Sequence, residues 1–507
     1  MKKIVLSLSV LVSAWAQAQE ILPETNIGLG STQIHGSARY QAMGGSMGAI
    51  GGDGSAVGIN PAGSGMFNYN HFSVSGELYN NKYQTNYLGN TTESKENSFH
   101  LPNVSAFFTH DTKDESGVTK VNFGFTYQTQ KKFNDYSFSK GNNIQSGVDY
   151  FLNHANNGYN NGSVPLDLVQ TQPNESIGDL YDYLNSQPNG FSAQQAMLAY
   201  QGYLINDTSN GYESNMAAGN YYQENEVYTS GFQSKLTGNV ALEINKKLYL
   251  GANVNVHFTD LLRSSSFFEE NTSDIATGVK RYQFNNTTYT YGNGFSFQLG
   301  GIVKATEELR VGASYQSPTW NSLRDEFSQN LRSQYFNNGS LTNITVDPNL
   351  VTLYDTYKVV TPGSWTGSLA YIFGKNGLIN VDYQYKDYSK TKYKEDLGSF
   401  AVLNDYYKNE MQATHDIRVG GEYRINTVSL RAGYRFVNSP YKTQDIIGDL
   451  NSVSAGIGYS YGTSRIDFGY TFAHQPIKST TLSSSMNQNE FIKTKNNLFN
   501  VTYSVNF

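Results

Sequence analysis

Strand-type alternation of apolar and polar residues recurs along the whole 507-residue chain, and it restricts the fold more than any motif does. In the stretch LYLGANVNVHF, Leu248, Leu250, Ala252, Val254, Val256 and Phe258 interleave with Tyr249, Gly251, Asn253, Asn255 and His257. A two-residue period of this kind puts one set on each face of a strand. The same period runs through Val121–Tyr127, Ile379–Tyr385, Ile417–Ile425, Val428–Phe436, Val453–Tyr461, Ile466–Phe472 and Phe499–Phe507. No position of the apolar set is charged, whereas the intervening positions and strand ends carry Asp382, Lys386, Asp416, Arg418, Glu422, Arg424, Arg431, Arg435, Arg465 and Asp467.

A soluble sandwich buries the apolar face and wets the charged one; an outer-membrane barrel turns the apolar face to lipid and encloses the charged one. Length favours the barrel, because these strands run to about 10–12 residues, near the 9–11 that cross a bilayer, against about 5–6 in soluble sheets. The pattern predicts strands near 70–80, 99–110, 119–130, 232–244, 247–260, 291–304, 308–317, 363–373, 377–388, 413–424, 427–437, 452–462, 464–474 and 496–507. That is an all-β, 14-stranded antiparallel transmembrane β-barrel, with both termini periplasmic and the odd-numbered connections long and extracellular. The last strand ends on Phe507, and a terminal aromatic of this kind resembles the signal read by the barrel assembly machinery, an expected partner together with outer-membrane lipid.

Residues 1–18 read as an export signal: Lys2 and Lys3, an apolar run, then Ala16-Gln17-Ala18. The run is too short to span a bilayer as a helix. The absence of cysteine excludes a disulfide framework and a thiolate zinc site. With 36 basic and 42 acidic residues there is no basic excess to suggest nucleic acid. The eight histidines are scattered, so no catalytic constellation, metal set or cofactor is expected, and the chain does not read as an enzyme. GGSMGAIGG lacks the Lys and the strand-to-helix setting of a phosphate loop.

A barrel of fourteen strands is too wide for wall side chains alone to fill. Residues 19–66, rich in Gly, Ala, Ser and Met, precede the barrel of residues 67–507 and are expected to fold into it as a hatch. The stretch GSARYQAMGGSMGAIGGDGSAVGINPAGSGMF, with its Asn60-Pro61-Ala62-Gly63, resembles the N-terminal hatch of the FadL/TodX family of outer-membrane transporters for long-chain fatty acids and aromatic hydrocarbons. GNGFSFQLGGIVKATEELRVGASYQSPTW, TPGSWTGSLAYIFGKNGLINVDYQYKDYS and HDIRVGGEYRINTVSLRAGYRF resemble it further. The resemblance covers most of the chain except residues 131–231, a long extracellular connection.

The resemblance implies passive transport of a hydrophobic small molecule: capture by extracellular loops, a lumen pocket beside the hatch, and release once the hatch rearranges. A kink in the third strand would open the wall sideways. Gly124 is the expected weak point there, with close packing as the alternative. A helix over Ser192–Leu204, capped by Ser192 and Gln195, places Met197, Tyr200 and Leu204 near one face, either for an external groove or for packing on its own loop. Asp416, Arg418, Glu422, Arg424, Arg431, Arg435, Arg465 and Asp467 read as a lumen ion-pair network, with a ligand or proton role as the alternative. The rival function on the same fold is a docking component for protein secretion or surface attachment.

Overall fold

A computed structural model describes residues 34–112, 117–160, 162–337, 339–394, 400–443, 446–480 and 489–507. The expected export signal and residues 19–33 lie outside this set. The wall consists of β1 (His71–Tyr87), β2 (Asn90–Asp111), β3 (Val118–Asn143), β4 (Tyr221–Ile244), β5 (Leu248–Asn271), β6 (Gly278–Lys304), β7 (Leu309–Gln316), β8 (Ser364–Phe373), β9 (Gly377–Asp387), β10 (Ala413–Ile425), β11 (Val428–Val437), β12 (Leu450–Tyr461), β13 (Ser464–Thr480) and β14 (Asn489–Asn506). Each pairs antiparallel with its chain neighbour, and β14 closes on β1 from His71↔Asn506 to Asn86↔Phe491. A closed sheet has no edge, which is what a bilayer demands of backbone hydrogen bonds.

The barrel is inside-out relative to a soluble domain. Leu250, Val254, Val256 and Phe258 are exposed, while Asn253, Asn255 and His257 between them are buried. Exposed Leu369, Val381, Val419, Leu430, Val453, Ile457 and Val501 continue the apolar band around the outside. Exposed Trp320, Trp365, Tyr385 and Tyr434 rim it at one end, and Tyr371, Phe373, Tyr423, Tyr459 and Tyr503 at the other, the two girdles of a membrane barrel. Among the described residues no helix is long and apolar enough to cross a membrane.

The end of the barrel holding His71 and Phe507 has tight turns. Asn245, Lys246 and Asn426 take positive φ there, which the short hairpins require. At the other end the strands overrun their expected limits: β3 has 26 residues and β6 has 27. The expected long first connection is only a turn at Leu88-Gly89, and the two ends of 131–231, residues 131–143 and 221–231, are strand belonging to β3 and β4. β7 stops at Ser317-Pro318, and Thr319–Asn337 carries its line upward against β6. Proline supplies no ladder N–H, which accounts for the break.

Three helices, α1 (Val148–Asn157), α2 (Ile177–Asn185) and α3 (Gly190–Gln201), cap this end around a core of Phe151, Leu180, Leu184, Met197, Leu198 and Leu204. The helix expected from Ser192 begins at Gly190 instead, behind Asn189 in the left-handed conformation and without a side-chain cap. The capping box belongs to α2, where Ser176 and Asp179 bond reciprocally.

One seam interrupts the wall. The β2–β3 ladder runs from Asp111↔Lys120 to Asn103↔Gln128 and goes no further. At that level β1 and β2 shift register between Ser75 and Glu77, opposite Leu101-Pro102, and β3 shifts against β4 between Thr129 and Lys131. Above it, side-chain bonds from Ser94 and Thr92 to the carbonyls of Tyr136 and Phe138 replace the ladder.

Candidate functional site

Ser37–Met66 fills the lumen as a short helix, Ala38–Ala42, followed by loops and a 3₁₀ turn, Pro61–Met66. The hatch makes turn and helix hydrogen bonds of its own, and inside a barrel the wall must supply partners for the backbone groups left over. The inward Asn, Gln, Ser and Thr residues do so. Thr502 Oγ1 accepts from Ala38 N at 2.7 Å, and Asn500 Nδ2 donates to Gly36 O at 2.8 Å. Asn253 Nδ2 donates to Val57 O at 2.9 Å, and Gln298 Nε2 to Ile59 O at 3.0 Å. The Asp382 carboxylate accepts from Met47 N at 2.9 Å and Gly48 N at 3.1 Å.

Small residues face one another across this interface. A Cβ added to Gly251, Gly300, Gly312, Gly420 or Gly433 of the wall would lie 2.1–2.7 Å from hatch atoms. The glycine-rich hatch therefore seats against a wall that has glycines at its contact points.

Asn60 organises the far half of the hatch. Its Oδ1 accepts from Ala62 N at 3.1 Å, capping the Pro61–Met66 turn, and Pro61 takes the first position, where a missing N–H costs nothing. Its Nδ2 donates to Gly48 O at 2.9 Å and to Gly301 O of the wall at 3.1 Å. Ala62 packs on Tyr249 and Ile302, and Gly63 meets Gly51 backbone to backbone.

The structure separates the eight charged residues expected as one network into two groups. Glu422 binds Arg431 Nε at 2.7 Å and Arg424 Nη2 at 2.6 Å, and Arg39 of the hatch joins them at 2.9 Å. Asp467 binds Arg431 and Arg465, each at 2.9 Å. Higher in the barrel, Asp416 Oδ2 lies 2.7 Å from Arg435 Nη2, and Arg418 binds the same carboxylate. Nothing in GSARYQAM marks Arg39 as paired, so the sequence alone does not reveal it.

Hollows lie above and below the hatch. The upper one, about 330 Å³, has Ile34, Tyr79, Ile447, Leu450, Ile492 and Leu498 in its lining. Lys131, Lys386, Arg435 and His257 also line it, with Asp135 and Asp416. The lower one, about 990 Å³, opens among the tight turns and is bordered by Arg39, Ile50, Gly52 and Met66.

At two expected sites the structure shows the packing alternative. Gly124 stays in ladder register opposite Phe107, and a Cβ there would fall 2.0 Å from that ring, so it serves close packing while the ladder ends four residues further on. Met197 and Leu204 are fully buried in the loop core and Tyr200 packs against it, so they do not face an open groove.

The model of the outer membrane protein transport protein family (OMPP1/FadL/TodX) matches residues 195–507. The fold is similar to that of a Pseudomonas aeruginosa FadL homologue, with 12% identity, a TM-score of 0.55, and coverage of 94% of this chain and 100% of that one. It is also similar to the P. putida toluene transporter TodX, with 15% identity, a TM-score of 0.53, and coverage of 94% and 99%. At these identities the likeness is one of fold. No curated protein matches the chain.

Proposed function

Since the chain belongs to the OMPP1/FadL/TodX family of outer-membrane transport proteins, we propose that it passes amphipathic molecules with an apolar tail and an anionic head, long-chain fatty acids above all, down their gradient. The observation that carries this is the lining of the upper cavity. Aliphatic and Tyr side chains suit a hydrocarbon tail, and three cationic side chains against two carboxylates suit a carboxylate head better than an uncharged aromatic ring. A volume of about 330 Å³ fits a small molecule and favours transport over a docking role for secreted protein.

Residues 34–66 act as the gate in this reading, separating the cavity from the lower vestibule, and displacement of the hatch joins the two. The seam above Asn103 and Gln128 favours a second reading, sideways release through the wall. Locking the hatch stops downward release and leaves sideways release running.

The test is uptake of labelled oleate and labelled toluene by cells with and without the gene. Loss of oleate uptake alone is the expected result. Equal uptake of oleate in both strains overturns the assignment.

A further inference from the structure

We infer that His35, Glu77 and His100 form a binding site for one divalent transition-metal ion of the zinc class, tying the hatch to the barrel wall. His35 lies just ahead of the hatch helix, Glu77 on β1 and His100 on β2, where the register sets Glu77 and His100 directly opposite each other. His35 Nδ1 is 2.7 Å and His100 Nε2 is 3.4 Å from Glu77 Oε1, and all three donor atoms lie within 4.8 Å of one another. Tetrahedral zinc, with bonds of about 2.0–2.2 Å to nitrogen and oxygen, sets its ligands roughly 3.4 Å apart, so small side-chain rotations complete the geometry.

The second observation is an orphan. Neither ring nitrogen of His100 makes a hydrogen bond among the described residues, although its side chain is only 12% exposed and faces the buried carboxylate. Buried imidazoles of this kind ordinarily find a partner, and a metal ion would provide it. Two imidazoles and a carboxylate suit zinc, and by the usual affinity order copper and nickel, better than magnesium or calcium. The supporting contacts are those a metal site needs. Gln41 Nε2 donates to the other oxygen of Glu77, and Gln128 Nε2 donates to His35 O at 2.9 Å.

Gln128 is also the last β3 residue in the ladder with β2, so the site sits at the foot of the seam. One ligand comes from the hatch and two from the wall, so a bound ion favours the seated hatch, and displacement of the hatch removes a ligand. This holds whatever the barrel transports.

The test uses untagged, detergent-purified protein stripped with chelator and titrated with Co²⁺ and then Zn²⁺. The expected result is one site per chain, tetrahedral cobalt absorption displaced by zinc, and at least tenfold weaker zinc binding in both His100→Ala and Glu77→Gln. Absence of saturable binding in the wild type, or unchanged affinity in folded variants, overturns the site. Boiling-dependent gel migration reports folding. Should a variant fail to assemble, X-ray absorption at the zinc edge of the wild type decides: imidazole scattering supports the site, and an all-oxygen shell overturns it.

Discussion

Asn60 Nδ2 lies 2.9 Å from the carbonyl oxygen of Gly48, so one side-chain amide holds together two loops of the hatch twelve residues apart. The same nitrogen reaches Gly301 on the wall, and the side-chain oxygen caps the following turn. Replacing Asn60 with Ala removes all three bonds, each worth about 1 kcal/mol net, without touching the ladder of the barrel. Asn60→Ala is expected to assemble normally and to leak more. Conductance in planar bilayers checks this, and a leak equal to that of the wild type would refute it.

Glu422 has Arg39, Arg424 and Arg431 around one carboxylate. Breaking a buried pair by removing one partner leaves uncompensated charge and costs about 3–5 kcal/mol, whereas an exposed pair is worth about 0–1. Glu422→Gln should therefore lower the denaturant midpoint markedly. Arg424→Ala, whose side chain is 46% exposed, should barely move it. Equal effects in urea titrations would contradict this ordering.

The loop cap carries a pH dependence. Glu269 sits above the lipid-facing band, fully buried, and accepts from Ser146, Gly147 N and Gln223. Burial outweighs those donors and pushes its carboxyl up to about 7 from an ordinary 4.5. The folded cap thus holds a proton that the opened cap releases. Its contribution is full below about pH 4.5 and is lost as pH rises to about 7, on the order of 3 kcal/mol at most. Hydrogen exchange in α1, corrected for intrinsic rates, should quicken between pH 5 and pH 8, and Glu269→Gln should flatten the change. A wild-type profile already flat would refute it.

The lipid band was legible because hydrocarbon outside and water inside impose the two-residue period directly. Above Phe258 that contrast fades: Asp260, Ser264, Ser266 and Glu270 share the outward positions of β5 with Leu262 and Phe268, while Leu261 and Phe267 are buried on the inner face, so both faces are mixed and the strand runs on unmarked. The seam lies beside Pro102 of β2, where the β1–β2 register shifts, and Gly124 carries no mark of it. The hatch was legible from its small residues, but its seats at Gly251 and Gly433 emerge only from barrel register. His35, Glu77 and His100 had no local signature at all. They are far apart in sequence, and only closure of the barrel around the hatch brings them together.

The passage of ligand past a moving hatch is tested most directly by locking it. A Cβ built at Gly65 lies 3.7 Å from that of Ala241 on β4, the separation a disulfide spans, and the chain has no cysteine to interfere. In Gly65→Cys/Ala241→Cys cells, labelled oleate uptake should stop on oxidation and return with reductant; uptake at the same rate in both states would contradict a gate formed by the hatch.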